Sequence, residues 1–273
     1  MSFVEDIFKV GDFVESCPQC DGDLIVRQNK SNGNLFAGCT NFSTQSCRFT
    51  KKIESCYMYR SKLVCYFIEN NFNINISDIV YTWQEDEYLC LRVIRNEPYN
   101  DDLRYINSIF DNNYYNHKKD NRSSLEFIQN VMLGWLIEDA LYIYLKNKGY
   151  NISLNGSDKI RVFKNKPTND PDFKMILNDE IIYLEQITDY AGYWKKYKNI
   201  TLRDNKYLHL KQNNIFVFGI DLKNNSFILF NVLNRKVKYK FVEKWNKYAY
   251  FVELKDSDFH PLRDIKNIDK YVF

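Results

Sequence analysis

Four cysteines near the start of the chain constrain its folding more than any other feature. Cys17-Pro-Gln-Cys20 forms a CxxC knuckle, and Cys39 and Cys47 form a second, wider pair after an 18-residue gap. All seven cysteines of the 273-residue chain fall at or before Cys90. An odd count argues against a disulfide framework, and this spacing is that of a four-thiolate zinc site. Zn²⁺ binds four soft ligands tetrahedrally, and a short segment with few core residues needs such a metal to fold. Leu24–Arg27 reads as a strand, Lys30–Asn34 as a turn and Leu35–Gly38 as a returning strand that delivers Cys39. Two knuckles on a hairpin make a zinc ribbon. Cys56, Cys65 and Cys90 lack ligand spacing and read as buried thiols.

Composition sets the outer limits. At 45% hydrophobic and 27% charged residues, the chain can bury a sizeable core. No run approaches the ~18 apolar residues of a membrane span. The opening MSFVEDIFKVGDF carries acids and no long apolar stretch, so no signal peptide is expected. These features predict a soluble, cytoplasmic protein with no membrane partner. The net charge of +3 is too small to argue for nucleic acid, but residues 124–273 hold 24 Lys and Arg against 18 Asp and Glu.

The phrase CPQCDGDLIVRQNKSNGNLFAGCTNFSTQSCRFTKKI resembles the C-terminal zinc fingers of bacterial type I DNA topoisomerases over about residues 15–53. It departs from them at Asp21-Gly22, where the family has Gly directly, and at Ser43–Ser46, which lengthens the second knuckle. The resemblance implies DNA binding, largely single-stranded, with Arg27, Phe36, Phe42, Arg48 and Phe49 as contact candidates. Phe36 and Phe49 could equally form the ribbon's own small core.

Three regions follow from these patterns: a four-Cys ribbon over 1–56, a connecting α/β region over 57–122 and a larger domain over 123–273. In the middle region, Ile79–Trp83 and Tyr88–Val93 alternate as strands would. Glu85-Asp86-Glu87 reads as a solvated turn, and 96–122, which includes His117, as a loop. Beyond it, Ser123 or Ser124 can cap a helix, with Glu126 in its first turn, that runs to Lys146-Asn147-Lys148-Gly149. Short strands are expected at Asn151–Leu154 and Lys159–Phe163. A hairpin follows, Phe173–Leu177 and Ile181–Thr188 joined at Asn178–Glu180. Asp172 then sits at the start of one strand and Glu185 inside its neighbour. A Glu within an apolar strand is costly to bury unless something pairs with it, and a divalent cation shared by two carboxylates would do so.

In order and spacing, Glu138 before Tyr144-Leu145-Lys146-Asn147-Lys148-Gly149-Tyr150, then Pro171-Asp172, then Glu185 resemble the PD-(D/E)xK nuclease superfamily over about residues 124–232. The resemblance implies a restriction-endonuclease-like mixed β-sheet core flanked by helices. With the ribbon, the fold class is α+β or α/β. It also implies Mg²⁺, or Mn²⁺ in its place, held by Asp172 and Glu185 with Glu138 assisting, and hydrolysis of DNA to 5′-phosphate and 3′-hydroxyl ends. The implied role is restriction or antiphage defence, on single- or double-stranded DNA. A duplex cutter would work as a homodimer or by sequential nicking. The family's lysine position holds Ile187. Lys174, on the face of Asp172, or Lys206 or Lys211 on the following helix could replace that lysine. Gln186 could do so only through a twist, since alternation points it to the other face. Otherwise the site is dead and the domain only binds DNA. A structure- or RNA-directed nuclease is a further alternative.

Asp189–Lys198 interleaves aromatic and basic residues, and with Arg203, Lys206 and Lys211 it suits a phosphate backbone, with Lys195 and Lys196 foremost. A helix is expected over Arg203–Lys211, on which His209 reads as a plain surface histidine. Closing strands are expected at Asn214–Ile220 and Phe227–Val232. Arg235–Lys240 alternates basic residues, as an edge strand or a DNA contact would, and His260-Pro261 reads as a turn.

Overall fold

A computed structural model describes residues 7–42, 47–83, 85–109, 123–155, 170–243 and 246–272. The expected strand Lys159–Phe163, the loop through His117 and the second-knuckle segment 43–46 lie outside the described residues. The chain divides into two compact units, the first reaching Leu136 and the second taking up at Ile137.

The first unit opens with an antiparallel sheet of four strands in sequence order, β1 (Phe13–Ser16), β2 (Asp23–Gln28), β3 (Leu35–Cys39) and β4 (Thr50–Lys52). β2 and β3 form the expected hairpin, which sets Leu24 opposite Cys39 and Val26 opposite Ala37. Gly33 turns the chain at φ 73°, a conformation open to glycine, and Asn29 caps the turn by accepting from the Ser31 N–H at 2.9 Å. The sheet's own core is small: Val14, Leu24, Val26 and Ala37.

The middle region corrects the sequence reading. Its described residues form four helices, α1 (Tyr57–Phe72), α2 (Ile76–Tyr81), α3 (Glu87–Arg95) and α4 (Asn100–Ile109), where strands and a loop are predicted. Short-range capping decides this. Asn75 accepts from the Ser77 N–H at 2.8 Å, and Asp86, read as a solvated turn, accepts from the Leu89 N–H at 2.9 Å. Asn73 and Asn96 close α1 and α3 in the left-handed conformation. The apolar runs of α2 and α3 are too short to distinguish the two periods, and as helices they bury Ile79, Val80, Leu89, Cys90, Val93 and Ile94. Arg92 grips Asp102 of α4 with two hydrogen bonds of 2.7 Å. Cys56 and Cys90 are buried as expected, and Cys65 is partly so. Burial pushes the Cys56 and Cys90 thiols up to about 12.

A long helix, α5 (Ser124–Asn147), follows. Ser123 and Glu126 form a reciprocal capping box, with the Glu126 N–H on Ser123 Oγ at 3.2 Å and the Ser123 N–H on Glu126 Oε2 at 3.0 Å. The helix ends at Gly149, φ 90°. Among the described residues no helix is long and apolar enough to cross a membrane.

The second unit centres on a mixed six-stranded sheet. The strands are β5 (Asn151–Leu154), β6 (Phe173–Leu177), β7 (Glu180–Asp189), β9 (Phe216–Asp221), β10 (Ser226–Asn231) and β13 (Phe259–Pro261), in spatial order 13-10-9-7-6-5. β7 and β9 are parallel, and the other pairs are antiparallel. His260-Pro261, read as a turn, lies in β13 because Phe227 offers His260 a pairing partner. Between β7 and β9 come α6 (Tyr193–Tyr197), β8 (Asn199–Arg203) and α7 (Asp204–Gln212). β8 joins β12 (Lys247–Glu253) and β11 (Val237–Val242) in a three-stranded sheet, with β11 at the edge. Tyr207 and Leu210 of α7 pack among Val217, Ile228 and Phe230 of the large sheet and Ile200, Leu202 and Val252 of the small one.

Candidate functional site

The four ribbon thiols converge. Cys17 Sγ lies 3.7 Å from Cys47 Sγ, Cys20 Sγ lies 3.4 Å from Cys39 Sγ, and all four lie within 4.8 Å of one another. A tetrahedron of sulfurs about 2.3 Å from zinc has edges of about 3.8 Å, whereas a disulfide needs about 2.05 Å. The separations therefore fit zinc ligation and exclude bonded sulfurs. Each knuckle supplies an amide to its sulfur from two residues on: Gly22 to Cys20, Asn41 to Cys39 and Phe49 to Cys47. The Gly22 N–H, with Cys39 beside it, holds the Cys20 thiol down to about 7. At Cys39 burial outweighs the Asn41 amide and pushes the thiol up to about 12, so the amides favour the thiolate a metal needs while burial opposes it.

Around this centre Phe42 and Arg48 are exposed. Arg27 is engaged by its own ribbon: its guanidinium donates to the Cys39 carbonyl at 2.9 Å. Gly38 is needed there, because a Cβ would meet Arg27 Cδ at 2.6 Å. Phe36 is half-buried opposite Arg27, as is Phe49.

A second cluster lies in the second unit. Asp172, just before β6, accepts from the Gln186 main-chain N–H at 2.7 Å. That bond ties its carboxylate to β7 beside Glu185. Burial, then repulsion from Glu138 and Glu185, holds the Asp172 carboxyl well above the usual carboxylate range, while Lys206 and the Gln186 amide pull it back. Glu138, Asp172 and Glu185 thus share one electrostatic neighbourhood. The cation among them is Lys206, whose Nζ pairs with Glu185 Oε1 at 2.6 Å. Burial opposes its charge, but Glu185, then Asp172 and Glu138, outweigh that and raise the ammonium above its ordinary value. Among the described residues, the four thiols are the one group of three or more Cys, His, Asp or Glu placed to hold a metal ion.

The other candidates distribute plainly. Lys174 is half-buried on β6, and no described contact joins it to the acids. The Gln186 side chain turns along its own strand, donating to the Ile187 carbonyl at 3.0 Å and to Thr188 Oγ1 at 2.8 Å, so its share in the cluster is its main-chain N–H. Tyr183, Glu185 and Ile187 alternate onto one face of β7, and Ile187 packs against the apolar cluster there. Gly219 lies opposite Ile187 in register, and a Cβ at Gly219 would meet Trp194 at 2.6 Å. Trp194 and the core thus occupy this patch, and Lys206 reaches Glu185 from α7 instead. Lys195, Lys196, Arg203 and Lys211 are exposed. His209 is half-buried, not a plain surface residue, and its Nε2 is shielded without a partner among the described residues.

Residues 14–55 match the family described as topoisomerase DNA binding C4 zinc finger. The matched segment contains all four converging thiols. No curated protein matches the chain.

Proposed function

We propose that the chain is a DNA-binding protein whose second unit is a divalent-metal-dependent endonuclease of the PD-(D/E)xK kind. The observation that carries this reading is the gathering of Glu138, Asp172 and Glu185 around the Lys206 ammonium, from helix and strand positions far apart in the chain. The topoisomerase-type ribbon supports DNA as the partner, with Phe42 and Arg48 as its free contacts. Structural zinc is held by Cys17, Cys20, Cys39 and Cys47.

The donor chemistry of the acid cluster suits Mg²⁺ or Mn²⁺, which take carboxylate oxygens and keep several waters. Asp172 and Glu185 would hold such an ion and Glu138 would assist. When bound, it would polarise the phosphodiester and lower the pKa of a water. The chain's own residues do the rest. The Gln186 N–H fixes one Asp172 oxygen. Lys206 keeps a positive charge on the Glu185 side, where it offsets phosphate charge and orients the attacking water. The expected products carry 5′-phosphate and 3′-hydroxyl ends, and restriction or antiphage defence is the role this chemistry serves. A non-cutting DNA-binding protein is the second reading, favoured by Ile187 in the core at the family's lysine position.

Digestion of plasmid and phage DNA in Mg²⁺ or Mn²⁺, wild type beside Asp172→Asn, separates the two. Cutting by the wild type alone, with ends that accept a ligase, is the expected result. No cutting by either on methylated and unmethylated DNA, with binding retained, would establish the second reading.

A further inference from the structure

Outside both sites, the small sheet carries a basic groove of about 670 Å³. Its walls include Lys198 just before β8, Lys236 just before the edge strand β11, and Lys238 and Lys240 within it. Tyr197 and Phe251 supply rings, and Glu253 is the one acid in the lining. β11 alternates strictly. Val237, Tyr239 and Phe241 share a face with Tyr250, which stacks on Tyr207 of α7 at 4.0 Å. Lys238 and Lys240 lie on the opposite face, across from Phe251 and Ala249.

Lysines on an edge strand can serve only to block strand pairing. That role does not require a half-buried ring, Phe251, within the groove beside them. Lys198 Nζ pairs with Asp256, which leaves Lys236, Lys238 and Lys240 with one carboxylate in the lining, and a polyanion relieves their mutual repulsion. Lys195 and Lys196 extend the same charge along α6.

We propose that this groove binds the backbone of single-stranded DNA, with bases stacked on Phe251 and Tyr197. A duplex keeps its bases inside and would present only phosphates, which use the lysines but not the rings. A single strand offers both phosphates and bases. The inference takes DNA as partner from the ribbon, but it does not depend on cutting.

The test is equilibrium binding of a fluorescent oligo-dT 20-mer by the zinc-loaded 273-residue chain without Mg²⁺, over a range of salt. The variant Lys236→Gln/Lys238→Gln/Lys240→Gln alters exposed side chains only, and circular dichroism checks its fold. It is expected to bind at least about tenfold more weakly at low salt. The slope of log affinity against log salt should flatten by about two, at ~0.7 for each phosphate of a single strand that is no longer neutralised. Phe251→Leu should weaken binding several-fold without changing the slope. Wild-type affinity and slope in the triple variant would overturn the proposal. So would an equal loss on duplex DNA with no effect of Phe251→Leu. Cutting assays play no part in this result, so it stands or falls apart from nuclease activity.

Discussion

Lys206→Met is expected to lower DNA cleavage by at least about 100-fold, the scale of losing one preorganised charge at a reacting phosphate. The same variant should bind Mn²⁺ at least as tightly as the wild type. Lys206 is the ammonium that pairs with Glu185 and pulls on Asp172, so removing it leaves the acids to an added cation. These opposite shifts separate a chemical role from a structural one, because a merely structural lysine would lose both properties together. Lys206→Arg keeps the charge and should restore the thermal stability of the wild type while cutting less well. An ammonium and a guanidinium orient a water differently. Cleavage unchanged in Lys206→Met, measured as initial rates on supercoiled plasmid, would remove Lys206 from the chemistry.

Cys39→Ser is expected to abolish zinc binding and unfold the β1–β4 sheet. Cys39 is 1% exposed, and the sheet's own core amounts to a few small side chains. Structural zinc in such modules is worth about 10 kcal/mol or more, beyond what that core can replace. Zinc content should fall from one ion per chain to none, and amide protection should vanish across β1–β4. Cys90→Ala removes an equally buried thiol from α3, outside the zinc site, and should keep its zinc. Full zinc content in Cys39→Ser would contradict the ligand assignment.

The zinc ribbon and the placement of Asp172 beside Glu185 are legible in the sequence because the governing signals are local. The two cysteine pairs and the hairpin between them define the ribbon. Asn178 and Asp179, both in the left-handed conformation, make the tight β6–β7 turn that brings Asp172 beside Glu185. The capping box at Ser123 and the glycine at Gly149 bound the helix that carries Glu138. The middle region fails for a reason equally local. Apolar runs such as Ile79–Trp83 suit either period, and the Asn75 and Asp86 caps that decide the matter outweigh them. The identity of the site's cation is not local at all. Lys206 reaches Glu185 only because α7 packs on the face of β7 where Trp194 and Ile187 already fill the neighbouring patch. Spacing along the chain puts Lys174 foremost, with Lys206 or Lys211 able to reach in from the next helix, and tertiary packing sets Lys206 against Glu185.

The most direct measurement is a titration of zinc-loaded protein with Mn²⁺, with free Mn²⁺ read by electron paramagnetic resonance, for wild type and Asp172→Asn. If Glu138, Asp172 and Glu185 hold a divalent cation as proposed, the wild type should take up a single Mn²⁺ per chain. Removing the Asp172 charge should weaken that site by at least about tenfold, the scale of one charge–charge attraction in a partly buried site. Equal uptake by both proteins, or by neither, would contradict a metal site at Glu138, Asp172 and Glu185.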